Sequence, residues 1–342
     1  MTASPRSTHI DALRGLAVLL MVLVHAAATW EPTLSGNLLV FGLIVSAGGG
    51  LAAPLFVALL GWGLAQRDLT MQQRWWRAGC LFGCQGIVNV SSPHLFELFT
   101  PGVLSLLGVL ILTEPWWGRG LRASNKPTVV FSWVFGLTVL FCFVFTSWQG
   151  PSSWTYRVDT ASVLSWFEHV VFTGLYPIVP WFVFASFGAT VAVLSTPQRH
   201  AFFRTVSVIG LAVSLAILVQ SQRTNQVWAL PTGNAALTFF PANAPFLIAA
   251  MTGVAMLWWC LERFRFADRL SSLGRVSLTV YVLHFVPFAL FHQAETLHDW
   301  SPALTAGVVL GYTVGWIVLG TWLAQRVPRF TIESWMKRRE PS

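Results

Sequence analysis

The 342-residue chain is 55% hydrophobic and only 10% charged, with a net charge of +8 and a mean hydropathy of +0.63. An average globular domain is about a quarter charged, so the soluble class is excluded, and with it the two soluble domains that length alone would allow. The positive charge invites a nucleic-acid partner, but the basic residues sit in short clusters between apolar runs rather than along one face or arm, so none is expected.

A spanning helix needs roughly 20 mostly apolar residues. The sequence offers such runs at 10–30, 48–66, 75–92, 98–114, 128–148, 164–195, 205–221, 243–262, 276–293 and 302–324. The first carries Asp11, Arg14 and His25, which the apolar core of a signal peptide avoids, and is read as a retained helix. The apolar stretch 37–47 is cut from its successor by Gly48, Gly49 and Gly50, and is read as an interfacial or re-entrant piece. The run 164–195 is over-long and holds Pro177 and Pro180, so it is expected to begin at the interface and kink before spanning. The expected fold is an all-α polytopic membrane protein of about ten transmembrane helices. It forms one bundle and one domain over 1–342, with a basic tail at 325–342.

Lysine and arginine set the orientation. Arg6 and Arg14 are followed by Arg67, Arg74 and Arg77, then Arg119, Arg122 and Lys126, then Arg199 and Arg204. Arg263, Arg265, Arg269 and Arg275 come next, and Arg326, Arg329, Lys337, Arg338 and Arg339 close the series. All of these fall on one side of an alternating topology, and only Arg157 and Arg223 fall on the other. That bias predicts both termini in the cytoplasm and an even number of crossings. Gly307, Gly311 and Gly315 form a small-residue stripe on the last helix, with a shorter one at Gly79 and Gly83. Packing within the chain is the favoured reading of both, and a homodimer face is the alternative. Cys80, Cys84, Cys142 and Cys260 lie in or beside apolar runs and read as packing residues, with neither a disulfide framework nor a metal site around them.

Charged side chains in a bilayer cost several kcal/mol each, which makes those in the first helix informative. Arg14 and His25 are eleven residues apart, which returns them to nearly the same face at a separation of roughly 16 Å along the axis. Asp11 lies on that face one turn before Arg14. Two readings stay open. Arg14 either snorkels to the headgroups with Asp11 as its partner, or this face lines a polar cavity in which Arg14 holds an anion and His25 does acid–base chemistry. Late in the chain, Tyr281 and His284 are one turn apart, and His284 falls near mid-bilayer, where an imidazole needs a partner or water. On the outer side His94, Glu97, Glu168 and His169 could line an acceptor site, with exposed loop positions the favoured reading. Gln85 and Asn89 are expected to face the bundle interior.

DALRGLAVLLMVLVH resembles the opening helix of the bacterial membrane acyltransferase superfamily, in which an Arg and a His have ten residues between them after a Leu-Arg-Gly-like start, as Arg14 and His25 do here. The type-three membrane acyltransferases, which O-acylate surface sugars, are similar here and in a late Tyr-Leu-x-His-like helix, matched by Tyr281 to His284. The middle of the chain is more like a sister group, the heparan-α-glucosaminide N-acetyltransferase-like proteins. TGLYPIVPWFVFASFGA (173–189), LGRVSLTVYVLH (273–284) and APLFVALLGWGLA (53–65) carry that likeness. One departure is that the human-like members place a His soon after the first helix, whereas this chain has none between His25 and His94.

The resemblance implies transfer of an acyl group, usually acetyl, from cytoplasmic acyl-coenzyme A to a hydroxyl or amine of an extracytoplasmic sugar or other small acceptor, with no metal. It implies His25 as general base or transient acyl carrier and Arg14, beside Asp11, as the holder of coenzyme phosphates. Tyr281 or His284 would polarise the thioester, and Glu31 is a candidate carboxylate to orient His25. A transporter or flippase fits a polar stripe in a helical bundle too, although no inverted repeat or matched pair of broken helices is present. An assembly subunit without chemistry is the third possibility.

Overall fold

A computed structural model describes residues 7–32, 36–264 and 269–341. Arg6 and Arg265, two of the cations that set the expected orientation, lie outside the described residues. Helix α1 spans Thr8–Trp30, α2 Leu39–Ala65, α3 Met71–Ser91, α4 Val103–Ala123 and α5 Pro127–Val144. Short helices α6 (Trp154–Val158) and α7 (Val163–Glu168) precede α8 (Ile178–Val193), α9 (Thr196–Arg223) and α10 (Ala244–Arg263). Next come α11 (Ser271–Gly274), α12 (Ser277–Leu283), α13 (Val286–Phe291), α14 (Ala294–His298), α15 (Pro302–Arg326) and α16 (Ile332–Arg339). Between α9 and α10 a two-residue parallel pair, β1 (Ala229–Leu230) with β2 (Leu237–Thr238), ties down a loop.

Several helix starts follow from side chains that satisfy the first, otherwise orphaned N–H groups. Thr70 and Gln73 form a reciprocal box at α3, and the Ser301 hydroxyl accepts from the Leu304 N–H at α15. The chain is all-α and polytopic. Among the described residues, seven helices are long and apolar enough to cross a membrane, or eight if the bent pair 163–173 and 178–193 is one span. That pair bends by 50°, as the over-long apolar run with its two prolines predicts. α3 and α4, 21 residues each, have the length of a span. Arg74, Arg77, Glu114, Arg119 and Arg122 dilute their apolar character, so composition alone does not class them as spans.

Two expectations are corrected. The stretch 37–47 is not a separate interfacial piece, because α2 runs unbroken through Gly48–Gly50. A Cβ on Gly48 would meet Leu20, and one on Gly49 would meet Val24. These glycines therefore let α2 approach α1 closely rather than end the helix. The glycine stripe of α15 is not an internal packing seam, since a Cβ on Gly307, Gly311 or Gly315 would meet nothing within 4 Å among the described residues. The same holds at Gly79 and Gly83. The run 276–293 falls in one candidate span, Ser277–His298, built from α12, α13 and α14 with the turns between them.

The chain divides into two compact units, residues up to Phe56 with Trp258–Glu340, and Val57–Leu257. In the first, α1 packs against α11, α12 and α15. Gly15 and Gly274 allow that contact: a Cβ on Gly274 would strike the Asp11 backbone, and one on Gly15 the Leu270 backbone. Lipid tails are as apolar as leucine, so such close backbone packing, rather than removal from water, holds the helices together.

In the second unit α3 packs on α4, and α4 and α5 pack on α8. Gly61 lies against Ala185, and Gly188 against Ala58, so the α2 and α8 backbones touch there. Phe131 meets Phe187 and Phe202 edge-on and those two rings are tilted to each other, with centroids 5.5–5.7 Å apart. Buried Gln85 and Asn89 face inward as expected: Gln85 donates to Asn89 at 2.8 Å and accepts from the Leu104 N–H at 3.2 Å, capping α4. Arg74 and Glu114, 7% and 1% exposed at the side chain, pair at 2.6 Å. Arg122 closes on the other oxygen of Glu114, and Arg74 also donates to the Ile111 carbonyl at 3.1 Å. None of the four cysteines forms a disulfide.

Candidate functional site

Helix α1 carries Asp11, Arg14 and His25, as the periodicity requires. The guanidinium of Arg14 lies 3.2 Å from the Asp11 carboxylate and stays 32% exposed, while the carboxylate is 5% exposed. The snorkelling reading foresaw that pair. Further along α1, His25 Nδ1 sits 2.9 Å from Nε2 of His284, which closes α12. The two imidazoles are nearly coplanar, at 9° with centroids 5.2 Å apart. Tyr281 stands edge-on to both, 6.1 Å from His25 and 5.6 Å from His284 by ring centroid, and Phe285 lies 4.6 Å from His25.

Proton accounting gives the pair a direction. His284 is fully buried, and its Nδ1 is 3.2 Å from the carbonyl of Val280, which can only accept. Nδ1 of His284 therefore carries the hydrogen and its Nε2 the lone pair, in the neutral ring. His25 must then donate from Nδ1 to that lone pair, which leaves its own Nε2 as the basic nitrogen. The tautomer of His25 is thus set by a backbone carbonyl through an intervening imidazole.

The surroundings hold this geometry. The Tyr312 hydroxyl of α15 donates to the His284 carbonyl. Trp30 Nε1 donates to the Phe291 carbonyl at 2.9 Å, tying the end of α1 to α13. Trp30 also stacks edge-on with Phe288 and Tyr312, at 5.4 and 5.3 Å.

Of the residues expected to serve the site, His25, His284 and Tyr281 come together, while Arg14 and Asp11 lie further toward the start of α1. Glu31 is exposed at the left-handed C-cap of α1, and His284 takes the orienting position expected of it. His169 is not an exposed loop residue: it is buried, with Nδ1 2.7 Å from Thr173 Oγ1 and Nε2 2.8 Å from the Asp159 carbonyl. His94, Glu97 and Glu168 are exposed. A groove of about 780 Å³ between α5 and α9, lined by residues such as Phe131, Phe135, Val206 and Ile209, includes none of the five candidates. Tyr312 was missed from the sequence, where nothing separates it from an ordinary interfacial tyrosine. Glu114 had a signal, an acid closing an apolar run.

The sequence model of the type-three acyltransferase domain matches residues 8–322, which includes α1, α12 and nearly all of α15. The chain belongs to the type-three acyltransferase family. Its activity is therefore that of a membrane acyltransferase. The matched range includes 173–189. Among curated proteins none matches the chain.

Proposed function

We propose that this acyltransferase moves an acyl group, most simply acetyl, from cytoplasmic acyl-coenzyme A to a hydroxyl or amine on an extracytoplasmic acceptor such as a sugar, using His25 as general base. The observation that carries the reading is the directed pair of imidazoles, which leaves a lone pair on His25 Nε2. That nitrogen takes the acceptor proton as the acceptor oxygen or nitrogen attacks the thioester carbonyl. The tetrahedral intermediate then expels the coenzyme thiolate, which recovers a proton and leaves as the free thiol. Nothing is left over in this balance. General-base assistance of this kind is worth about 10²–10⁴ in rate. In this reading Tyr281, edge-on to both rings, donates toward the thioester oxygen.

Arg14 is the residue we assign to the donor phosphates. It is one-third exposed, and a guanidinium suits bidentate phosphate recognition. The reading has ten crossings of a bacterial inner membrane, with α3 and α4 as the two beyond the apolar eight and both termini cytoplasmic. Its support is the one-sided distribution of lysine and arginine.

Two measurements test it. Purified protein should gain thermal stability with acetyl- or longer acyl-coenzyme A, because a ligand that binds only the native state stabilises it. His25→Ala should reduce acyl transfer to background while leaving membrane expression and the thermal transition intact. Full transfer by that variant overturns the assignment.

A further inference from the structure

The helix that presents Tyr281 and His284 cannot hold its own N-terminus. α12 has seven residues, and its N-cap is Val276, whose side chain makes no capping bond. The missing acceptors come from α16, in the C-terminal tail. One carboxylate oxygen of Glu333 accepts from the Leu278 N–H at 2.7 Å and the Thr279 N–H at 3.2 Å, 55 and 54 residues away in sequence. The other oxygen accepts from the Thr279 hydroxyl at 2.5 Å. The Thr279 oxygen in turn accepts from the N–H of Ile332, the first residue of α16, at 2.8 Å.

The arrangement is a capping box split between two distant segments: Glu333 caps α12, and Thr279 caps α16. Within one helix such a box fixes where the helix begins. Here it fixes where α12 begins relative to the tail, and the negative carboxylate adds a favourable charge at the positive end of the helix. Partial burial pushes the Glu333 carboxyl above its ordinary value, and the Thr279 and backbone donors oppose that rise. His284 follows Thr279 by five residues, or about 7.5 Å along a helix axis, so a slip or rotation at the first turn is carried directly to the imidazole.

We infer that Glu333 is a positioning residue for the imidazole pair, holding α12 in the register that brings His284 Nε2 to His25 Nδ1. The inference rests on the reading that this pair serves acyl transfer. It adds that the tail, otherwise a basic solvated segment, is part of the site's framework.

The test uses full-length protein and two independent readouts. Amide exchange is followed over 277–284, and kcat and KM are measured for transfer. Glu333→Ala should speed exchange at Leu278 and Thr279. It should also lower kcat about 10- to 100-fold, the range expected for a misplaced catalytic group, with KM for donor and acceptor unchanged within twofold. Glu333→Gln keeps an acceptor oxygen and should recover most of both. If Glu333→Ala fails to fold, Thr279→Val, which removes only the hydroxyl bridge, carries the test in the same direction.

Exchange at wild-type rates in the variant that folds overturns the clamp. Faster exchange with unchanged kcat overturns the positioning role. Should His25→Ala retain full transfer, the catalytic reading fails on its own. The clamp is then judged by exchange and by the imidazole nitrogen-15 shifts of His25 and His284, which should change in Glu333→Ala if Glu333 sets their contact and stay fixed if it does not.

Discussion

Two of the buried polar clusters are of opposite design. In the second unit, Arg74 and Arg122 both close on Glu114: both its oxygens are engaged, Arg74 adds a backbone carbonyl, and Arg122 also lies 3.8 Å from Asp68. In the first unit, His25 and His284 have no hydrogen-bonded acid among the described residues, and the bonds run one way, from His25 to His284 to a carbonyl. The first arrangement is closed and serves to hold helices α3 and α4. The second ends in a lone pair, the one the proposed mechanism uses. Burial and polarity alone do not separate the two; the direction of the hydrogen bonds does.

The comparison breaks or sharpens under substitution. The largest effect is expected at Glu114→Ala, which strands Arg74 in the interior without its counter-charge. Breaking a buried pair costs about 3–5 kcal/mol, read as a large drop in the thermal transition in detergent. If stability is unchanged, the cluster is not the closed, structural one described. His284→Ala should act in the opposite sense, with transfer falling about 10- to 100-fold, or about 1.4–2.7 kcal/mol in the barrier, while stability falls less than for Glu114→Ala. A His284 variant as unstable as the Glu114 one would erase the distinction. The smallest effect is expected at Gly311→Ala, which should leave stability unchanged or raise it by about 0.5–1 kcal/mol through helix propensity. A Cβ there meets nothing, and a marked loss would show that the outward face of α15 is covered in the assembled protein.

Much of this was legible in the sequence because bilayers constrain composition so strongly. The apolar runs gave most of the helices, and the prolines near 177–180 gave the bend. His25, Arg14, Tyr281 and His284 stood out because polar groups in such runs need a reason. What the sequence withheld was pairing. His25 and His284 are 259 residues apart, and no local pattern announces that two isolated imidazoles share a hydrogen bond. Glycine was misread in both directions for one physical reason. At Gly48 and Gly49 it permits contact with α1, while at Gly307, Gly311 and Gly315 it faces away from the chain, and the letter is the same. Glu333 looked like one acid in a basic tail because its donors, Leu278 and Thr279, belong to a helix far upstream.

Arg157 has a consequence of its own. Its guanidinium is wholly buried and gathers the carbonyls of Gln149, Gly150 and Pro151 with those of Thr173 and Gly174. Burial lowers it from its ordinary value to about 10, so it stays protonated through the physiological range. One side chain thus joins the stretch after α5 to the bend before α8 as a cystine would, yet no reductant can open it and no oxidant is required to form it.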